Sequence, residues 1–188
     1  HFLEATFAEG EYLVAIINKK IEQYKTRLDS HHIVMLYYKI ACLYFGMDKY
    51  ELCIKYLEKI IDSKNLNAGE DLQCFARVLN LIAHYECGLD YDLERQFLET
   101  YKFLIKMENL QEVQKEFITS IRDLSDVFPH EIKNEFKNIY TRLKKYESHP
   151  YEKRAFLYLD ILSWLESKIE NKSIATIIKE KSNYLQKK

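Results

Sequence analysis

The chain has 188 residues, 47% of them apolar and 30% charged, a balance that supports a substantial core and excludes a disordered chain. Its 28 basic and 29 acidic residues leave a formal net charge of -1, so no global field draws it to nucleic acid or anionic lipid. Four glycines and two prolines supply little of the turn vocabulary of an all-β fold, and no apolar run approaches the ~20 residues that span a bilayer.

The opening residues, HFLEATFAEGEY, lack the basic start and uninterrupted apolar stretch of a signal peptide. A cytoplasmic protein is expected, with no membrane and no nucleic-acid partner. The helical pattern starts at once from His1, so the chain is expected to be a fragment of a longer protein.

Apolar positions recur at three- and four-residue intervals almost throughout, and about ten helices fit. A first runs near Phe2 to Ala8 and a second from Glu11 to Leu28, separated by Gly10. Asp29 and Ser30 supply an N-cap for the next, which buries Ile33, Leu36, Ile40, Leu43 and Tyr44. Gly46 ends it, and Asp48 is expected to cap the helix carrying Tyr50, Ile54, Leu57 and Ile61.

After the polar break from Asp62 to Gly69, a strongly periodic helix runs from Asp71 to Cys87 and stops at Gly88. Further helices are predicted from Tyr91 to Met107 and from Val113 to Val127. Pro129 opens another that ends near Glu147, since a first-turn proline loses no hydrogen bond. Pro150 likewise introduces a helix from Tyr151 to Ile169, and Asn171 with Ser173 marks the cap before the last. No linker divides the chain, so residues 1–188 form a single domain.

Cys42, Cys53, Cys74 and Cys87 sit inside apolar helical segments, which predicts buried, reduced thiols. His84 and Cys87 share a helix face, with Cys74 a conceivable third zinc ligand, but no CxxC pair accompanies them. No metal and no cofactor is expected.

From Tyr37 to Ile61 the pattern is specific: Tyr37, Ile40, Ala41 and Tyr44 on one helix are followed by Cys53 and Leu57 on the next. Small Ala41 and Cys53 let the helix backbones approach, while Tyr44 and Leu57 fill the remaining space. This arrangement resembles the tetratricopeptide repeat. Cys53 stands where alanine is commonest in that family, and the usual proline after the second helix is missing.

The best unit spans 34–62. Degenerate units cover 2–28, on Gly10, Tyr12, Ala15 and Ile16, and 71–107, on Val78, Leu81, Ile82, Tyr85, Tyr91, Glu94 and Leu98. Residues 110–182 are read as divergent or capping helices, of a kind also found in bacterial repeat scaffolds. The resemblance implies an all-α superhelix, a right-handed stack of antiparallel helix pairs without β-sheet, whose first helices line a concave groove for a peptide or helix of a partner protein.

The candidate binding stripe is Arg77, Asn80 and His84, spaced i, i+3, i+7 on an otherwise apolar helix, with Tyr38, Cys42 and Phe45 continuing the surface. The competing structural reading has Asn80 and His84 tying neighbouring helices through buried hydrogen bonds. His31 and His32 diverge on their helix and read as a solvated start. Trp164, with Phe156, Tyr158 and Leu165, reads as core, and TRLKKY (141–146) as a solvated face.

Linear enzyme signatures are missing: there is no Gly-rich phosphate loop, GxSxG elbow or HExxH. A non-enzymatic interaction scaffold is therefore expected, with a ligand-sensing regulatory domain as the alternative and an α-helical enzyme third. An open groove favours the scaffold; a closed pocket of roughly 300 to 1,000 Å3 favours a sensor.

Overall fold

The computed structural model describes residues 7–24, 27–62, 69–88, 90–106, 112–124, 127–128, 130–152, 156 and 160–186. Among these the protein is all-α, with nine helices and no strand. They are α1 (Phe7–Tyr24), α2 (Ser30–Gly46), α3 (Tyr50–Ile61), α4 (Glu70–Glu86) and α5 (Asp90–Leu104), then α6 (Glu112–Leu124), α7 (Ile132–Lys144), α8 (Ile161–Glu170) and α9 (Ile174–Gln186). The expected helical residues before Phe7, most of the polar break after Asp62, and Pro129 lie outside the described residues.

From α1 to α7 each helix packs on its successor, as do α8 and α9; α7 also packs on α8, and α2 touches α4. The α2–α3 turn is only three residues long, which makes these two helices antiparallel neighbours. Ala41, Cys53 and Leu57 are completely buried between them, and Tyr44 stacks on Tyr56 with ring centroids 5.7 Å apart. Loss of the small residues would push the two backbones apart, because interiors pack at crystal-like density.

The turn differs from its predicted form. Asp48 does not cap α3; Lys49 occupies that position, without a side-chain hydrogen bond. Asp48 instead adopts a left-handed backbone, φ 56°, and its carboxylate accepts a 2.8 Å hydrogen bond from the Tyr50 hydroxyl. Aspartate tolerates that conformation as a single residue, which lets the chain reverse just after the helix end.

Gly10 does not interrupt the first helix: α1 runs through it, and the glycine is buried. The residue that permits close packing here is Gly46. A Cβ added to it would stand 2.5 Å from Phe7 Cε1, so the absence of a side chain lets the Phe7 ring lie on the end of α2.

At the centre of the molecule is α4. Its buried residues, among them Leu72, Phe75, Leu79, Ile82 and Ala83, point in every direction around its axis. A helix buried on every side, its polar Asn80 and His84 included, lies in a core rather than on a surface. Gly88, at φ 66°, follows its last turn and takes the left-handed conformation that ends it without side-chain strain.

Trp164 on α8 joins α4 to the C-terminal half. Only 1% exposed, it makes edge-on contacts with Tyr85, Phe117 and Phe136, from α4, α6 and α7. Its indole N–H donates to Glu86 Oε1 at 2.5 Å, and Lys168 pairs with the other oxygen of the same buried carboxylate. Burial of a carboxylate is tolerated because both its oxygens are occupied.

The expected continuous helix from Tyr151 to Ile169 is not formed. Tyr151 and Glu152 lie in a turn, and Asp160 is a non-helical N-cap. Its carboxylate accepts the Ser163 N–H at 3.0 Å and the Ser163 hydroxyl at 2.5 Å, a local alternative to helix continuation. The cap before α9 follows the sequence: Asn171 is left-handed and Ser173 Oγ accepts the Thr176 N–H at 3.2 Å.

Candidate functional site

Arg77, Asn80 and His84 do share one face of α4, and the structure brings Arg77 and Asn80 against α5. Asn80 is 4% exposed and its Nδ2 donates to Gln96 Oε1 at 3.2 Å. His84, equally buried, has Nδ1 2.8 Å from the Asn80 carbonyl. A carbonyl only accepts, so Nδ1 carries the proton. Arg77 lies over the Phe103 ring at 4.2 Å, and burial pushes its guanidinium below the ordinary arginine range.

Gln73 extends this stripe one turn upstream, donating from Nε2 to the Ile60 carbonyl at 2.9 Å. Among the described residues, three buried polar atoms along it have no hydrogen-bond partner: Gln73 Oε1, Arg77 Nε and Asn80 Oδ1. Each such atom costs about 1–3 kcal/mol when desolvated without compensation.

The other groove candidates do not form an open surface with these. Tyr38 and Phe45 on α2 are 2% and 3% exposed, and Phe45 packs against the Tyr50 ring at 5.5 Å. Burial pushes the Cys42 thiol up to about 12, with a smaller opposing effect from a hydrogen bond to Tyr38. Cys74 is likewise pushed up to about 12 by burial, and Cys53 and Cys87 are raised for the same reason. Among the described residues the four cysteines form no disulfide, and no three His, Cys, Asp or Glu side chains come together as a metal-ligand set.

An open apolar surface occurs elsewhere, on α1. One face of this helix, including Phe7, Gly10, Val14 and Ile21, is buried, and Asn18 donates to the Tyr56 hydroxyl at 2.6 Å. On the opposite face Tyr12 is 74% exposed and Ile16 43%. A shallow depression of about 460 Å3, open to solvent, is lined by Glu11, Tyr12, Ala15, Ile16 and Lys19. The tetratricopeptide-like reading places Gly10, Tyr12, Ala15 and Ile16 at the turn and second-helix start of a degenerate repeat; in the structure Tyr12, Ala15 and Ile16 lie within α1 and are exposed.

Glu11 at the edge of this depression is fixed by Lys49 from the α2–α3 turn, at 2.6 and 2.8 Å. The sequence signal for the surface was an excess of apolar positions: α1 carries Tyr12, Leu13 and Ile16 in addition to the one stripe a packed helix requires. Leu98 and Tyr101 on α5, with Ile105 in the turn just after it, are also exposed.

Among the described residues, no helix is long and apolar enough to cross a membrane. No protein-family model matches the chain, and no curated protein or solved structure gives a match.

Proposed function

We propose that the protein is a non-enzymatic interaction scaffold, a divergent tetratricopeptide-like array of antiparallel helix pairs winding into a right-handed superhelix, that binds a helix or peptide of another protein. The observation that carries this reading is the open apolar face of α1, with Tyr12 and Ile16 beside Ala15. Exposed aromatic and aliphatic side chains around a small residue, rimmed by Glu11 and Lys19, are what a partner helix buries on docking. The depression is open rather than enclosed, which suits an extended partner better than a small ligand.

Capture of partners from the native cell, followed by binding of helical peptides from the recovered proteins, tests this. Tyr12→Ser with Ile16→Ser is expected to abolish peptide binding while helical circular dichroism and Tm stay unchanged. Undiminished binding by that variant sinks the α1 reading.

The unpartnered atoms of Gln73, Arg77 and Asn80 favour a second reading, a regulatory domain that senses a polar ligand or peptide between α4 and α5. Acceptor, donor and acceptor follow one another along α4, the alternation offered by a polypeptide backbone. Combined substitution of Arg77, Asn80 and His84 by Ala is then expected to remove ligand capture, with some loss of stability because Asn80 and His84 are buried. A marked fall in Tm without any ligand effect would assign the stripe to helix packing alone.

A further inference from the structure

We draw no further inference here: the strongest candidate, the exposed apolar face of α1 around Tyr12, Ala15 and Ile16, belongs to the surface already described, and nothing in the structure shows what covers it.

Discussion

Helices α1 and α4 both carry mixed apolar and polar faces, and tertiary packing uses them in opposite ways. On α4 buried residues surround the axis, and the polar face of half-buried Gln73 with buried Asn80 and His84 is packed like the rest, engaging Ile60, Gln96 and the helix's own backbone. On α1 one apolar face is buried and a second, around Tyr12 and Ile16, is left to solvent. A polar side chain on a central helix is thus a packing problem to be solved by hydrogen bonds, whereas an apolar side chain on a peripheral helix is a surface without a partner.

The contrast can be broken most severely at Trp164, which ties the end of α4 to the C-terminal helices. Trp164→Ala is expected to lower stability by about 3–5 kcal/mol in urea unfolding, through lost ring contacts and a cavity. Glu86→Gln should cost about 2–3 kcal/mol, because it removes the charge that holds both the indole N–H and Lys168. An effect below 1 kcal/mol from either change would mean that α4 is not anchored by this contact.

Alkaline titration sharpens the same comparison through the thiols. Cys42 and Cys74 are raised to about 12 from an ordinary value of 9.0, so the folded protein holds their protons more tightly than the unfolded chain does. Stability is therefore undiminished below pH 9 and falls as pH rises from 9 toward 12, where the unfolded chain alone has ionised. Stopped-flow alkylation at pH 8 should accordingly find both thiols unreactive until the protein unfolds. The smallest effect is expected at α1: Tyr12→Ser should change stability by no more than about 0.5 kcal/mol, as for an exposed residue outside the core.

Much of the fold was legible because helical periodicity is a local property. The spacing of Ile33, Ile40, Leu43 and Tyr44 announced the buried face of α2, and the small Ala41 and Cys53 announced a close crossing with α3. Local chemistry also misled. Gly10 reads as a break, yet burial against neighbouring helices outweighs a glycine's weak preference against helix. The start of α8 escaped notice because an aspartate followed three residues later by serine is a modest signal until its hydrogen bonds are seen.

The candidate site was less legible than the helices. Arg77, Asn80 and His84 were correctly placed on one face by their spacing, but spacing alone does not say whether that face meets solvent or another helix. For α1 the residues were visible and their exposure was not: Tyr12, Ala15 and Ile16 suit a packed crossing as well as a docking surface.

By itself the sequence determined an all-α chain, the register of its main helices, a near-neutral charge and the small residues that let α2 and α3 approach. Those follow from backbone geometry and composition, which act over a few residues. Only the tertiary structure decided that α4 is central, that Glu86, Trp164 and Lys168 join the two halves, and that α1 keeps an apolar face open. Burial depends on which distant segments cover a face, and residues 78 positions apart, as Glu86 and Trp164 are, carry no local mark of their meeting.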